Sequence, residues 1–442
     1  MNLIRFFIVS ALCVIFLNNG YAVDSIQQKK VSVQKGKSEF KMSGNYRTRG
    51  EVQNGYNVKT YGVSETETFL LSRLRLDLEY LYGNQWKFVT QFQDARVSGS
   101  SFSDADFTGK NNPFHDPFDI NNLFVLFSPS EKLEFTIGRQ AVNMANRRVF
   151  GPGSWGNTGR YIWDAVNVKF ANEYFSTRLL AGYNIVHEPG IFPNRNREST
   201  NAFAWYNTIN KLPFQLDMFY VYKFDNSGKY SGETGKKGNL HSNYLGLQFQ
   251  KDVNRLSVLF LGSYQFGKYA ADNISAFGTV TQIGYSFPSF LNSKVMFSHI
   301  YGSGDSNPED GRNQTFDGIY SGADTDLYSW MNFSFWKNTQ QFRFDWEANF
   351  TKAIIFRTEY HAFFLDKEKD AWYFPGKAMR RDTEGLSGNF IGHELDFVIR
   401  AKLTSWVQFL GGYCFFTPGE FVKNTGESLT AQWAFGELTF AF

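Results

Sequence analysis

Apolar and polar side chains alternate along several runs of ten or more residues, and this pattern limits the chain to a small set of folds. From Leu70 to Tyr82, one parity is almost entirely Leu and Tyr, whereas the other carries two arginines, an aspartate and a glutamate. Residues 342–350 and 354–364 repeat the pattern far downstream. Successive side chains of a β-strand point to opposite faces, so each run predicts a long strand with one apolar and one polar face. Such strands occur in transmembrane β-barrels and also in soluble antiparallel sheets.

The composition favours the barrel over the soluble sheet. Aromatic residues make up 18% of the chain, including 48 Phe and 23 Tyr, yet the mean hydropathy is −0.36. A barrel wall reconciles these values, because each strand turns one face to lipid and the other to water, with aromatic girdles at both interfaces. The sequence therefore predicts an all-β protein, a transmembrane antiparallel β-barrel. At roughly 20–25 residues per strand and connection, the strands would number in the upper teens.

Polar or glycine-rich stretches interrupt the strand pattern and are expected to form long extracellular loops opposite short periplasmic turns. These stretches cover residues 50–67, 98–117, 226–243, 302–326 and 367–387. Between residues 201 and 210 and between 276 and 287, the alternation is weak. The last residues, 433–442, form an amphipathic segment ending in Phe442, which is typical of bacterial outer-membrane barrels.

The N-terminus has the layout of a secretory signal peptide. Arg5 supplies the positive charge, Phe6 to Leu17 forms an apolar run, and Gly20-Tyr21-Ala22 offers small residues at the cleavage positions. A membrane anchor is the alternative, but it would need a longer apolar run. We therefore predict export to the outer membrane of a Gram-negative-type bacterium, with a signal peptide at 1–22, a polar leader at 23–38 and the barrel at 39–442.

The formal net charge is only +3, which argues against a nucleic-acid-binding protein. Any charge selectivity must therefore come from the placement of charges. Arginine stays charged at any working pH, and several arginines at one level of a barrel would form a constriction that favours anions. The same side chains could instead form ion-pair ladders that only rigidify the lumen. Strand register alone places on the inward face Arg47, Arg49, Arg343, Arg357 and Glu359.

Catalytic and metal-binding patterns are weak. None of the six histidines has a recognisable metal spacing such as HExxH. The loop from Asp305 to Asp317 begins with calcium-loop spacing, but it has Asp310 where an EF-hand needs Gly and Phe316 where it needs Glu. The sequence therefore predicts a solvated acidic loop, no catalytic residues, no metal and no cofactor. An outer-membrane hydrolase is kept as an alternative of another class.

Several motifs, in order along the chain, resemble the alginate export family of bacterial outer-membrane β-barrel porins. They are Leu71 to Glu79 with its Arg-x-Arg, Gln93 to Arg96, Gly138-Arg139-Gln140, Arg148 to Gly151, Trp155 to Arg160 leading to Asp164 to Val166, Gly304-Asp305 with Asp310, Gln314 to Asp317, Gly392 to Asp396, Gly411 to Tyr413, and Pro418 to Phe421. The stretch from Asn184 to Tyr301 carries few of the family's residues.

The resemblance implies a monomeric barrel of about 18 strands, with an arginine-rich constriction that passes an anionic uronate polymer. The pore-lining residues carried over from the family motifs are Arg73, Arg75, Arg96, Arg139, Arg148 and Arg160, with Asp94 and Asp164 as their partners. Strand register also places Arg73 and Arg75 on the inward face. Arg96 has the parity of Phe92, and Arg139 has the parity of Ile137. These two can reach the lumen only if a bulge or a loop intervenes.

The leading hypothesis is a channel that passes an anionic, alginate-like polysaccharide or its oligomers through an arginine-lined lumen. A porin for the uptake of small anionic solutes is the alternative within the same class. The expected partners are outer-membrane lipid and lipopolysaccharide, the anionic saccharide, and periplasmic polysaccharide-export proteins.

Overall fold

The computed structural model describes residues 36–56, 66–108, 110–153, 155–320, 327–374 and 377–442, so the predicted signal peptide and most of the polar leader lie outside it. None of the helices in these ranges has the length and apolar character needed to cross a membrane. The strands, numbered along the chain, are β1 (Ser38–Asn54), β2 (Glu67–Tyr82), β3 (Trp86–Ser98), β4 (Asp116–Ser130), β5 (Leu133–Ala141), β6 (Ile162–Ala171), β7 (Phe175–Ile185), β8 (Asn196–Ile209), β9 (Gln215–Ser231), β10 (Lys237–Val253), β11 (Leu256–Tyr269), β12 (Asp272–Phe287), β13 (Ser293–Gly302), β14 (Arg312–Asn313), β15 (Thr339–Asn349), β16 (Ile354–Phe364), β17 (Ala371–Phe374), β18 (Lys377–Arg381), β19 (Phe390–Lys402), β20 (Val407–Pro418) and β21 (Ala431–Ala441).

The strands form a closed antiparallel barrel. The main sheet has 19 strands among the described residues, and one of these is the two-residue β14, which pairs parallel to β12 outside the wall. The other 18 pair antiparallel with their neighbours, and β1 pairs with both β2 and β21. Closure leaves no sheet edge in the hydrocarbon, where an unpaired backbone group would be costly. The predicted fold class is confirmed.

The outer face of the barrel is apolar, as the alternation predicts. Phe40, Met42, Tyr80, Phe344 and Tyr360 are among its exposed large side chains. Their strand neighbours of opposite parity point inward and are polar or charged. The exposed belt therefore matches a lipid-facing surface, since large exposed apolar patches are unusual in soluble monomers.

Connections at one end of the barrel are all short, and the other end has all the long connections together with the short ones at 232–236 and 270–271. The short end includes residues 83–85, 131–132 and 254–255, and both described chain termini lie there, since the Gly44 amide donates to the Phe442 carbonyl at 2.8 Å. The longest connections are 142–161, 303–338 and 365–389. The third contains the β17–β18 hairpin, and the connection 419–430 contains a short helix, Glu420–Asn424. Long extracellular loops and short periplasmic turns are the arrangement typical of these barrels.

One predicted loop, 226–243, is wrong in its extent. β9 continues to Ser231 and β10 begins at Lys237, so most of this polar stretch is a hairpin that extends the wall. Its polar side chains lie where the wall projects beyond the apolar belt, and such a segment has no need of an apolar face.

The inward face from β6 to β13 is apolar over much of its length. Buried inward residues include Leu180, Ala204, Val221, Leu261 and Val280. They pack against side chains from the connections 142–161 and 303–338, including Val149, Phe150, Phe316, Tyr320 and Trp336. Two long loops therefore fold into the barrel and fill this side of the lumen. This packing accounts for part of the weak alternation at 201–210 and 276–287, because inward positions such as Ala204 and Val280 are apolar too.

Candidate functional site

Four arginines from two adjacent strands make up what we call the arginine wall. They are Arg47 and Arg49 on β1 and Arg73 and Arg75 on β2, and Arg47 and Arg73 lie directly opposite each other in the strand pair. The first three are buried, and Arg75 is half-buried with its Nε donating to Gln93 at 2.7 Å. Like charges directly opposite one another in a sheet repel, so the wall needs compensating groups.

Two carboxylates supply part of that compensation. Arg49 forms ion pairs with Glu51 at 2.7 Å and with Glu437 at 3.2 Å, and Arg47 lies 3.6 Å from Glu437. Both carboxylates face the lumen beside the seam where β21 closes on β1. Arg47 and Arg49 therefore share two nearby carboxylates at the seam.

The loop 142–161 supplies further oxygen atoms to the arginine wall. The Arg49 guanidinium donates to the Trp155 carbonyl at 3.0 Å, and Arg47 donates to the Gly156 carbonyl at 3.3 Å and to the Asn157 side chain at 3.2 Å. The Trp155 ring also stacks on Arg49, with the guanidinium carbon 3.8 Å from the ring centroid. The arginines therefore hold an inserted loop, and neutral carbonyl oxygens occupy positions where a carboxylate would bind more strongly.

A second charged surface, the acidic wall, lies on β15, β16 and β19. Arg343 pairs with Asp345 at 2.6 Å and with Glu359 at 2.9 Å, and Arg357 pairs with Glu359 at 2.7 Å. His361 lies 3.2 Å from Glu359. Glu394 and Asp396 on β19 complete the wall and are buried. Carboxylates outnumber guanidinium groups here, in contrast to the arginine wall.

The loop 303–338 docks on the acidic wall. The Trp330 indole donates to Glu359 at 2.8 Å, while the Ser329 hydroxyl and the Met331 amide donate to Glu394 at 2.6 and 3.1 Å. Trp330 also contacts Trp155 edge-on, with ring centroids 5.7 Å apart. The two inserted loops therefore meet between the two charged walls.

The same loop is anchored on the opposite side by an ion pair between Lys223 on β9 and Asp317, at 2.6 Å. Lys337 lies 3.7 Å from the same carboxylate. Burial raises the pKa of Asp317, but the two lysine cations lower it by more, so its pKa lies below the usual range for aspartate. Asp317 is therefore ionised at neutral pH and stabilises the docked loop.

Four predicted pore-lining residues lie on the outer face instead. Asp94 and Arg96 form a bidentate ion pair, with Nε to Oδ1 at 2.7 Å. The β2–β3 register is continuous and pairs Asp94 with Leu74, whose side chain is exposed on the lipid side. A bulge does occur nearby, but it shifts β4 against β3 and leaves Asp94 and Arg96 on their original face.

Arg139 and Asp164 show the same outward parity. Arg139 pairs with the exposed Leu123 on β4, and Asp164 pairs with the exposed Tyr183 on β7. They bind each other at 3.0 Å, and Arg139 also donates to the Asn194 carbonyl at 2.7 Å. The pore-lining prediction is wrong for both pairs, because no intervening bulge turns either strand. Asp94 and Arg96 pair with each other at the barrel surface, whereas Arg139 also lies 3.9 Å from the buried Asp119.

Arg148 and Arg160 lie on the inserted loop 142–161 and not on the wall. Arg148 is buried, donates to the Leu327 carbonyl at 3.2 Å and lies over the Tyr328 ring, so it joins the two inserted loops. Arg160 is half-buried over the Tyr161 ring.

Sequence reasoning missed several residues that complete the site. Glu437 lies 388 positions from Arg49, and Trp155 lies 106 positions from it. Alternation could have placed Glu437 on the inward face of the last strand, because the apolar Leu438 and Phe440 have the opposite parity. No sequence signal indicates that a loop tryptophan binds the arginine wall.

A closed 18-stranded barrel with an apolar belt and charged walls around its interior defines an outer-membrane β-barrel channel. The chain belongs to the alginate export family, whose model matches residues 38–435. The resemblance inferred from the motifs is thereby confirmed. No curated protein sequence matches the chain.

Solved porin structures share the fold. OccAB3 from Acinetobacter baumannii has a TM-score of 0.61 at 9% identity, with coverage of 91% of this chain and 99% of the other. OccK11 (OpdR) from Pseudomonas aeruginosa has a TM-score of 0.59 at 8% identity, and the match covers 93% of this chain and 98% of the other. OccK8 (OprE) from the same organism has a TM-score of 0.59 at 10% identity, and the match covers 91% of this chain and 98% of the other. At such low identity the likeness concerns the barrel fold alone.

Proposed function

We propose that this channel passes an anionic saccharide, a uronate polymer or its oligomers, along the arginine wall. The observation that carries the proposal is the set of four inward-facing arginines on two adjacent strands, of which Arg47 and Arg49 contact the carboxylates Glu51 and Glu437. Family membership supports the substrate class. Guanidinium groups keep their charge at any working pH and bind carboxylates through two parallel hydrogen bonds.

A substrate carboxylate would compete with the loop for the arginines. The carbonyl oxygens of Trp155 and Gly156 are neutral acceptors, whereas a uronate offers a full negative charge. Exchange of these carbonyls for a carboxylate would loosen the loop at the moment when the substrate arrives. Arg75 is the most accessible arginine of the wall and is therefore proposed as the first contact.

Ion selectivity of the purified barrel in planar bilayers tests the proposal. In a salt gradient, the wild-type reversal potential should indicate a preference for anions, and the double variant Arg73→Glu/Arg75→Glu should lower or reverse this preference. Unchanged selectivity in the double variant would remove the arginine wall from the transport mechanism. Added polyuronate should also reduce the wild-type current in a dose-dependent manner.

One observation favours a second candidate, the passage of small anionic solutes. The inserted loops 142–161 and 303–338 pack against each other and against the wall, which leaves less room for a polymer. Blocking by polyuronate compared with a monomeric uronate separates the two. If the monomeric uronate reduces the current and polyuronate does not, transport of small solutes becomes the proposed function in place of polymer passage. In either case we propose that the protein is monomeric and moves its solute without chemical change. If it exports a polymer, we propose that it works with periplasmic polysaccharide-export proteins.

A further inference from the structure

The acidic wall contains more negative charge than its arginines can neutralise. Its buried carboxylates are Asp345, Glu359, Glu394 and Asp396, and its guanidinium groups are Arg343 and Arg357. Four buried carboxylates therefore lie around two guanidinium groups and the imidazole of His361. Carboxylates this close together in the low-dielectric interior favour a cation among them.

Three of these side chains already lie in an arrangement that suits a metal ion. His361 Nε2 is 3.2 Å from Glu359 Oε2 and 3.1 Å from Asp396 Oδ2, and all three atoms lie within 4.8 Å of one another. Tetrahedral zinc with bonds of about 2.0–2.1 Å holds its ligand atoms roughly 3.4 Å apart. The two separations from His361 Nε2 are therefore close to those in such a tetrahedron, and the two carboxylate oxygens lie within 4.8 Å of each other.

The hydrogen bonds around these atoms are incomplete. Neither carboxylate oxygen of Asp396 accepts a well-formed hydrogen bond, and the same holds for Glu359 Oε2. Asp396 and Glu359 are fully buried, so water cannot satisfy them from outside. Buried polar atoms almost always form hydrogen bonds of good geometry, and ligand-type atoms that lie close together without such bonds are consistent with a bound ion.

The remaining contacts would support the three ligands. The Gln341 side-chain amide lies 2.7 Å from His361 Nδ1 and holds the ring with Nε2 toward the carboxylates. With a metal ion on Nε2, Nδ1 would keep its proton, and the Gln341 amide would turn its oxygen to Nδ1 to accept it. Arg343 contacts Glu359 Oε2 at 2.9 Å and can stay there, because a carboxylate oxygen has more than one lone pair. Cys414, the register partner of Asp396 on β20, is buried beside the cluster.

We propose that Glu359, His361 and Asp396 bind a divalent transition-metal ion such as Zn²⁺. An imidazole nitrogen among the ligands favours zinc and its neighbours over calcium or magnesium, which prefer oxygen. A divalent ion would also offset the repulsion between the Glu359 and Asp396 carboxylates.

The site would have a structural role, because the inserted loop covers it. Glu359 receives the Trp330 indole on Oε1 and presents Oε2 to the site, so one carboxylate joins the loop and the metal. A bound ion would therefore strengthen the attachment of the loop 303–338 to β16. This inference does not depend on which solute the channel carries.

Metal binding by the purified full-length barrel tests the inference. The protein, with any affinity tag removed and treated with a chelator, is titrated with ZnCl₂ and desalted, and bound zinc is measured by elemental analysis. One equivalent is expected in the wild type, with at least a tenfold weaker affinity in His361→Ala and in the near-isosteric Asp396→Asn. The matched control is His393→Ala, on the same sheet but facing outward beside Tyr360, and it should bind zinc like the wild type.

A second measurement keeps the inference testable if the variants fail to fold. Wild-type protein loaded with Co²⁺ should show the intense visible bands of tetrahedral cobalt, and Zn²⁺ should remove them. Absence of stoichiometric zinc and of these bands overturns the proposal. Wild-type affinity in both His361→Ala and Asp396→Asn would also overturn it, and loss of binding in His393→Ala would place the metal at the outer surface instead.

Discussion

Arg49 and Glu437 face each other across the strand pair that closes the barrel, and their side chains meet at 3.2 Å. Glu437 lies on β21, the last strand, and Arg49 lies on β1, the first. The carboxylate also approaches Arg47 at 3.6 Å. A carboxylate that compensates the arginine wall thus lies at the seam, where the first and the last strand pair.

We expect Glu437→Gln to destabilise the barrel. The substitution keeps the size of the side chain but leaves Arg47 and Arg49 with less nearby negative charge, and breaking a buried ion pair from one side costs about 3–5 kcal/mol. The free energy of unfolding, measured by urea titration in detergent or lipid, should fall by roughly that amount. The control is Glu79→Gln, whose ion pair with Lys87 is more exposed and should change stability by less than about 1 kcal/mol. Equal losses in the two variants would show that the seam pair has no special role.

Alternation along single strands was sufficient to predict the barrel and the inward direction of Arg47, Arg49, Arg343 and Glu359, because side-chain direction follows from strand parity. It could not predict which oxygens compensate these charges. The partners come from strands and loops far away in sequence, such as Glu437 and the Trp155 carbonyl.

Trp155 holds the loop 142–161 through its ring as well as its carbonyl. The ring stacks on Arg49 and meets Trp330, Trp433 and Phe435 edge-on at 5.0–5.7 Å. Trp155→Ala should weaken loop docking by about 2 kcal/mol or more, from the summed aromatic and cation–π contacts. We expect the Trp155→Ala channel to show a larger or noisier single-channel conductance than the wild type. Trp406→Ala, in a short turn outside this cluster, should conduct like the wild type, and an unchanged Trp155→Ala current would mean that the loop does not limit passage.

The lumen between β6 and β13 shows where sequence reasoning fails for physical reasons. Val221 and Leu261 point inward although they are apolar, because the inserted loops replace water on that side. Parity still assigns their direction, but the expected polar character of the lumen does not hold where another part of the chain fills it.

The outer-face position of Arg96 leads to a selectivity prediction. Arg96 pairs with Asp94 at the barrel surface, so Arg96→Glu adds negative charge outside the lumen. We expect its reversal potential to match the wild type, whereas the single variant Arg75→Glu lowers anion preference. Bilayer measurements under one salt gradient compare them directly. A shift in Arg96→Glu as large as that in Arg75→Glu would contradict the assignment of Arg96 to the outer face.

Acidification should release the loop 303–338 through Asp317. Because the lysines hold the pKa of Asp317 below its usual value of about 3.9, its stabilising effect is complete above that pH and is lost as the pH falls through the lowered pKa. Wild-type conductance should therefore stay constant from neutral pH to about pH 4 and become unstable below it.

Asp317→Asn leaves Lys223 without its carboxylate and should weaken docking by about 1–3 kcal/mol, so the unstable conductance appears already at pH 7. The control Asp310→Asn changes a more exposed carboxylate of the same loop, and it should behave like the wild type across this range. Stable conductance of Asp317→Asn at pH 7 would show that the Lys223 ion pair does not hold the loop.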